Sequence, residues 1–242
     1  MLKMFRSVLA VVVAGALALP AAVSATQQPT VDEILARNYQ AKGGAKQKDL
    51  QSMKQVSTMS MQGMSASMTV YTKRPNRLRQ EIVIGPQTVI SGFDGVTPWM
   101  VNPLIGSSRP IAVTGPQADM LREQGDFDGP LVDYKAKGYT VELVGVESLG
   151  EQKVNHLKMV SLTRQVMHLY LDAGTNLEVK RVTEVEATKL EQELSDYRPV
   201  EGIMVPFRIR LLVNGVPQSE MTVKSVELNL PMDEAIFRMP KG

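Results

Sequence analysis

The chain has 242 residues, with 27 Lys plus Arg against 25 Asp plus Glu, and it contains no cysteine. Without cysteine the chain has no disulfide, no thiolate metal site and no cysteine nucleophile. A formal net charge of only +2 argues against a nucleic-acid-binding protein, which would carry a clustered basic face.

The first 25 residues have the organisation of a secretory signal peptide. Lys3 and Arg6 form a basic start, an apolar run covers residues 8–19, and Val23-Ser24-Ala25 supplies the small residues before a cleavage site. The apolar run is shorter than the roughly 20 residues that span a bilayer. We therefore expect cleavage after Ala25 and export of the mature chain, whose charged residues balance because cleavage removes two basic residues and no acidic one.

The mature chain is predicted to begin with a helix. Thr30-Val31-Asp32-Glu33 has the pattern of a capping box, in which the Thr30 hydroxyl and the Glu33 carboxylate accept hydrogen bonds from free backbone N–H groups. Apolar residues at helical spacing follow as far as Tyr39. The helix is expected to end at Gly43-Gly44.

A β-meander is predicted to follow from about Met53. Apolar and polar residues alternate there, and turn signals occur at Gln62-Gly63, Arg74-Pro75-Asn76, Gly85-Pro86 and Asp94-Gly95. Such closely spaced turns are typical of antiparallel strands and leave no room for the crossover helices of a parallel sheet.

The first hairpin of the meander concentrates its methionines on one face. With Gln62-Gly63 as a two-residue turn, Met61 pairs with Met64 and Met59 pairs with Ala66. Alternation then predicts one flexible apolar face, whereas the opposite face carries serine and threonine. The apolar face consists of Met59, Met61, Met64, Ala66, Met68 and Val70, and the next strand adds Leu78, Ile82 and Ile84.

The second half of the chain is predicted to be mainly strand, after two short helical pieces. A helix over Pro116–Gln124 begins with proline and ends before Gly125, with Met120 and Leu121 as its apolar side. A helical or irregular piece is expected at residues 131–137. In total about eleven antiparallel strands predict one domain over residues 26–242, built on a strongly curved sheet that forms an incomplete barrel or a barrel covered by the helices.

Three groups of residues suggest a metal site, and each has a structural alternative. The methionines at 59, 61, 64 and 68 could bind Cu(I) through their thioethers, but methionine is also the adaptable side chain of promiscuous apolar surfaces. His156 and His168 would have to be adjacent, and a hairpin that pairs Leu162 with Val166 leaves them about four residues apart. Asp126-Phe127-Asp128-Gly129 resembles part of a calcium loop without its remaining ligands.

No catalytic constellation is recognisable. Ser107-Ser108 lies in a predicted loop, without the glycine pattern of a nucleophile elbow. We therefore expect a protein that is not an enzyme and that uses neither a cofactor nor a metal.

Taken together, the order of features resembles the outer-membrane lipoprotein carrier family, the LolA-like lipoprotein-sorting proteins. The likeness covers nearly all of the mature chain and depends on the order and spacing of several short segments. These are the signal peptide, the helix ending at Gly43-Gly44, residues 71–75 with Arg77 and Arg79, residues 93–103 with Trp99, Leu171-Asp172, Asp196-Tyr197, residues 202–207, residues 226–229 and Ile236-Phe237.

This resemblance implies an unclosed β-barrel in the periplasm whose concave face, covered by short helices, holds acyl chains of lipids or lipoproteins. The methionine face would suit a variable chain because methionine repacks readily, and Trp99 is expected to join it. The helix with Met120 and Leu121 is a candidate lid. Membrane-bound donor and acceptor proteins are the partners implied, and an envelope sensor or adaptor that binds a protein is the alternative.

Overall fold

The computed structural model describes residues 28–241 apart from Gln62, Thr163 and Glu186, so the expected signal peptide lies outside the described residues. Within this range, three α-helices and thirteen strands follow one another. The helices are α1 (Val31–Ala41), α2 (Lys46–Asp49) and α3 (Gly115–Gly125), with 3-10 turns at Pro103–Ile105 and Glu234–Phe237. The strands are β1 (Ser52–Met61), β2 (Met64–Lys73), β3 (Arg77–Ile84), β4 (Gln87–Phe93), β5 (Pro98–Asn102), β6 (Ser107–Ala112), β7 (Thr140–Leu149), β8 (Gln152–Val160), β9 (Val166–Asp172), β10 (Glu178–Val185), β11 (Thr188–Val200), β12 (Ile203–Val213) and β13 (Val216–Leu228).

All strands belong to one antiparallel sheet with the order β6-β5-β4-β3-β2-β1-β13-β12-β11-β10-β9-β8-β7. Among the described residues, two meanders are joined where β1 pairs with β13, and β6 and β7 are the edge strands of the sheet. The expectation of a curved antiparallel sheet that forms an unclosed barrel with short helices is confirmed. The sheet has more strands than expected, and one of them, β6, occupies a segment that was expected to be a loop.

The predicted N-terminal helix is present with its capping box. The Thr30 side chain accepts a hydrogen bond from the Glu33 backbone, and the Glu33 carboxylate accepts one from the Thr30 backbone N–H at 2.8 Å. From α1, Ile34 packs against a buried cluster on β8 and β9 that includes Leu157 and Leu169. Helix α1 therefore covers one end of the sheet.

Helix α3 covers the other end of the same sheet face. Its Ala118 and Leu121 pack against Leu78 of β3, Phe93 of β4 and Met100 of β5. The strand pairings carry this face continuously from β3 through β1, β13 and β10 to β8. We call it the inner face.

The C-terminal segment, residues 229–237, crosses the opposite, outer face as a strap. Glu234 forms ion pairs with Lys73 and Arg77, at 2.6 and 3.1 Å, and Arg79 donates a hydrogen bond to the Ile236 carbonyl. Phe237 is fully buried. Because these contacts join residues far apart in the sequence, the strap fixes the chain end to β2 and β3. No helix within the described residues is long and apolar enough to cross a membrane.

Candidate binding cavity

A cavity of about 750 Å³ separates α3 from strands β10, β11 and β12 on the inner face. Strand residues that project inward form its floor, and one side of α3 forms the opposite wall. The lining consists of Pro116, Gln117, Asp119, Met120, Glu123, Gln124, Arg164, Gln165, Arg181, Thr183, Glu184, Val185, Leu190, Gln192 and Leu211.

The pairing of the strands explains how the floor is arranged. Arg181 pairs with Gln192, which pairs with Leu211, and the next row towards the hairpin ends pairs Thr183 with Leu190. Alternation places all of these side chains on the inner face. The cavity therefore has an apolar part near Leu190 and Leu211 and a polar part at Arg181.

Charged groups surround the polar part of the cavity. The Arg181 guanidinium donates to both carboxylate oxygens of Glu178, at 2.8 and 3.0 Å. On the opposite wall, burial raises the pKa of Glu123, while the nearby Arg181 partly offsets this rise. Burial also raises the pKa of Tyr197, whose hydroxyl donates to the Glu178 carbonyl at 2.7 Å. At this end of the cavity, the paired guanidinium of Arg181 thus lies opposite a carboxyl group, Glu123, whose pKa is raised.

The predicted methionine face exists but does not form the floor of this cavity. Met59 pairs with Ala66 and Met61 with Met64, as expected, and Met68 pairs with Ile82. Only β13 separates this face from the cavity, because Met61 of β1 pairs with Ser219 of β13, which pairs with the cavity residue Leu211 of β12. Met59, Met61, Met68, Val70, Ile82 and Ile84 are half-buried, and Met64 is 58% exposed.

Two of the expected binding residues are enclosed by protein. Leu78 lies on the inner face and is covered by α3. Trp99 was expected on the methionine face, but its pairing with Gly92 places it on the outer face with Arg79, where its indole N–H donates to the Phe237 carbonyl. This corrects the expectation for Trp99, which the strap buries completely.

The expected lid residues lie on two sides of α3. Leu121 is buried against the sheet, whereas Met120 is 41% exposed and lines the cavity. The floor residues Thr183, Leu190, Gln192 and Leu211 were not expected from the sequence. The alternation of Leu190, Gln192 and Leu194 with glutamates was an available signal for an inner-facing strand.

Comparison with solved structures yields similar proteins along almost the whole chain. A LolA superfamily protein from Nitrosomonas europaea superimposes with a TM-score of 0.60 at 17% identity, over 87% of this chain and 98% of that one. A DUF1329 family protein from Desulfovibrio piger gives a TM-score of 0.60 at 12% identity, over 87% of this chain and 98% of that one. This chain has the LolA-like fold.

A third similar structure is a domain from Vibrio parahaemolyticus named for outer membrane lipoprotein sorting, with a TM-score of 0.59 at 10% identity, over 85% of this chain and 94% of that one. No family model matches the sequence, and no curated protein matches it. The resemblance inferred from the sequence is thus confirmed at the level of the LolA-like fold.

Within this LolA-like fold the two histidines are adjacent, contrary to expectation. The hairpin pairs Val160 with Val166, which places His168 opposite Lys158. His156 Nε2 lies 2.7 Å from His168 Nδ1, and His156 Nδ1 lies 2.6 Å from a Glu147 carboxylate oxygen. Because Glu147 and His168 occupy opposite sides of the His156 ring, these groups form a hydrogen-bonded row and do not surround a common point.

The calcium-like segment also has a structural role in this LolA-like fold. Lys137 pairs with Asp126 at 2.6 Å, and Arg74 holds both carboxylate oxygens of Asp128. The two carboxylates therefore bind cationic side chains of the protein. Among the described residues, no group of three or more His, Asp or Glu side chains is arranged to hold a metal ion.

Proposed function

We propose that this protein is an exported, non-catalytic carrier that binds acyl chains of lipids or lipoproteins in the periplasm and moves them towards the outer membrane. The observation that carries the proposal is the cavity between α3 and β10–β12, with its volume of about 750 Å³. Ligand-binding pockets in proteins have volumes of roughly 300–1,000 Å³. The signal-peptide pattern and the LolA-like fold are consistent with this role.

The apolar parts of the inner face can supply the affinity for an acyl chain. Each methylene group removed from water contributes about 0.8 kcal/mol. A chain that starts between Met120 and Leu190 can pass Leu211 and continue over the half-buried methionines of β1 and β2. Methionine adapts to acyl chains of different lengths, because it is unbranched and polarisable.

Helix α3 is suited to act as the lid of this cavity. Leu121 anchors the helix to the sheet, while Met120, the preceding residue, faces the cavity. Movement of α3 away from β3 would expose Leu78 and join the cavity to the methionine face. The lid would thus cover apolar surface in the empty protein and move away when an acyl chain binds to that surface. When the acyl chain passes to an acceptor protein, the lid would close again.

Native mass spectrometry of the mature protein, purified gently from its own periplasm, tests the proposal. We expect a stoichiometric phospholipid or acylated peptide, identified after extraction, and its loss in the double variant Leu190→Asp/Leu211→Asp. Val96→Asp serves as the control, because Val96 is 80% exposed between β4 and β5 and does not line the cavity. An apo mass that takes up no added lipid would contradict the carrier function.

One observation supports an envelope adaptor as a second candidate. Edge strand β7 carries Val144 and Val146, which are 51% and 49% exposed. An open edge with apolar side chains can accept a strand from a partner protein. A photo-crosslinking residue at position 144, compared with one at position 96, should give a specific protein adduct in the periplasm if the chain is an adaptor.

A further inference from the structure

The hairpin connections of the sheet lie at its two ends. Met61 pairs with Met64 at the end of the first hairpin, and Met61 also pairs with Ser219 near the start of β13. Because neighbouring strands are antiparallel, this register places six connections at the same end of the sheet, which we call the rim. They are the connections β1–β2, β3–β4, β5–β6, β8–β9, β10–β11 and β12–β13. Five further hairpin connections lie at the opposite end.

Exposed apolar side chains are concentrated at the rim. Four of its connections, β1–β2, β5–β6, β8–β9 and β12–β13, contain or adjoin such residues, which are 51–80% exposed: Met64, Leu104, Ile105, Leu162 and Val216. In the connections at the opposite end, the only comparable described residue is Val96, between β4 and β5. Apolar side chains scattered singly over a surface need no explanation, but their concentration at one end indicates a contact surface.

These four connections carry almost no charge. In their sequence Arg164 is the only charged residue, and its long side chain can extend to lipid headgroups. Apolar residues are favourable in the interior of a bilayer, whereas charged residues are costly there. The connections at the opposite end carry Arg74, Asp94, Glu151 and Glu201. The rim is therefore the end of the sheet that suits contact with lipid.

The apolar tips stand apart from one another along the sheet. In the strand order, neighbouring apolar tips are separated by two to four strands, which corresponds to roughly 10–20 Å at the usual spacing between strands. The residues that dominate a protein–protein interface cluster at its centre in well-packed pockets. A lipid surface can accept separate apolar insertions, because its affinity depends on the apolar area that is buried.

The cavity between α3 and β10–β12 extends to the same rim. Its lining includes Arg164 and Gln165 of the β8–β9 connection, as well as Val185 at the end of β10. A bilayer in contact with the rim would thus lie beside the cavity. An acyl chain has a short path between the two at this place.

We propose that the rim docks on the surface of a phospholipid bilayer by inserting the apolar side chains of these four connections. Because the insertion is apolar, docking requires neither an anionic lipid nor low salt. Docking itself does not involve the floor of the cavity. The use of docking for the transfer of an acyl chain rests on the proposed carrier function.

Flotation of the mature protein with vesicles tests this docking. The probes are vesicles of phosphatidylcholine alone and of phosphatidylcholine with phosphatidylglycerol, at low and high salt. We expect the wild type to float with both kinds of vesicle at both salt concentrations. The double variant Ile105→Asp/Leu162→Asp should lower the partition coefficient about tenfold or more, because burial of one such side chain corresponds to at least a factor of ten. Val96→Asp is the matched control, since Val96 and Leu162 are both 80% exposed.

A fluorescent label tests the docking without depending on the stability of the charged variants. The chain has no cysteine, so Ile105→Cys, Leu162→Cys and Val96→Cys can each be labelled at one site with nitrobenzoxadiazole. Addition of phosphatidylcholine vesicles should shift the emission from positions 105 and 162 to shorter wavelength, because the label moves from water into apolar surroundings. The emission from position 96 should not change.

The cavity variant Leu190→Asp/Leu211→Asp separates docking from cargo binding. Both residues lie within strands and outside the rim connections, so this variant should float as the wild type does, even where native mass spectrometry shows that it has lost its lipid. A failure of the carrier function would leave flotation intact.

Four results would overturn the docking proposal. These are no flotation of the wild type, flotation that requires phosphatidylglycerol and disappears at high salt, an equal loss of flotation in Val96→Asp or in the cavity variant, and an equal emission shift at position 96.

Discussion

Trp99 and Phe237 are both completely buried and are joined by a 2.7 Å hydrogen bond from the indole N–H to the Phe237 carbonyl, across 138 residues of sequence. The neighbouring strap contacts come from Lys73, Arg77 and Arg79. These are among the residues on which the sequence resemblance depended. These three residues attach the C-terminal strap to the outer face and do not line the cavity. This part of the sequence resemblance therefore reflects the fold and not the binding site.

Loss of the Phe237 side chain should therefore destabilise the protein without affecting cargo binding. Phe237→Ala should lower the free energy of unfolding by about 3–5 kcal/mol, the usual cost of removing a buried phenylalanine side chain. Urea denaturation followed by fluorescence measures this directly, because Trp99 is the only tryptophan. The control Met239→Ala, at a side chain that is 40% exposed, should change the free energy by less than about 0.5 kcal/mol. Equal effects of the two variants would contradict the role assigned to the strap.

The sequence was sufficient to predict features that depend on local chemistry. The pairing of Met59 with Ala66 follows from one turn and from alternation, and the capping box at Thr30 lies within four residues. The position of Trp99 could not be predicted in this way. Its burial depends on Gly92, which leaves room for the indole ring, and on a strap that comes from the other end of the chain.

Two variants of α3 test whether this helix is the lid. One removes the residue that anchors the helix to the sheet, and the other removes a residue that lines the cavity. Leu121→Ala should cost about 2–5 kcal/mol of stability, since Leu121 is buried against Leu78 and Phe93. Met120→Ala should cost less than about 1 kcal/mol, because this side chain is 41% exposed towards the cavity. Denaturant unfolding of the two variants provides the comparison.

The same two variants should also have different effects on lipid binding. Loss of the Leu121 anchor should favour the open lid and accelerate binding of a fluorescent fatty acid in stopped-flow experiments. Loss of Met120 should instead weaken equilibrium binding, because a cavity contact is removed. Identical uptake by both variants and the wild type would exclude α3 as the lid.

Glu123 makes the stability of α3 depend on pH. Burial raises its pKa above the ordinary value of 4.5, so the folded protein binds this proton more tightly than the unfolded chain does. The contribution of Glu123 to stability is therefore most favourable below pH 4.5 and is lost as the pH rises through the folded-state pKa. Glu123→Gln should raise the melting temperature at neutral pH and should abolish this part of the pH dependence. A lower melting temperature of Glu123→Gln at neutral pH would show that the ionised form is the stabilised one.

The floor of the cavity was harder to predict than the sheet itself. Its residues lie on β10–β12, and only the curvature of the whole sheet brings them opposite Met120 of α3. No local pattern encodes that distance. The histidine pair shows the same limit on a smaller scale, because a loop between Val160 and Val166 that was two residues longer than expected moved His168 next to His156.

That histidine pair leads to a prediction about pH. A Glu147 carboxylate oxygen lies 2.6 Å from His156 Nδ1, and His156 Nε2 lies 2.7 Å from His168 Nδ1. Burial, followed by the charge of His156, lowers the pKa of His168 below its ordinary value of 6.5. Lys158 and Lys189 act in the same direction, whereas Glu184 opposes them.

Because the folded state binds the His168 proton less tightly than the unfolded chain, the associated stability is present above pH 6.5 and is lost as the pH falls from 6.5 through the lowered pKa. His168→Gln should remove this loss, as measured by denaturant unfolding across that pH range. In the variant His156→Gln, an NMR titration should show the pKa of His168 closer to 6.5, because the neighbouring charge is gone. If the His168 pKa were the same in that variant as in the wild type, burial alone would account for the shift and the two rings would not be coupled.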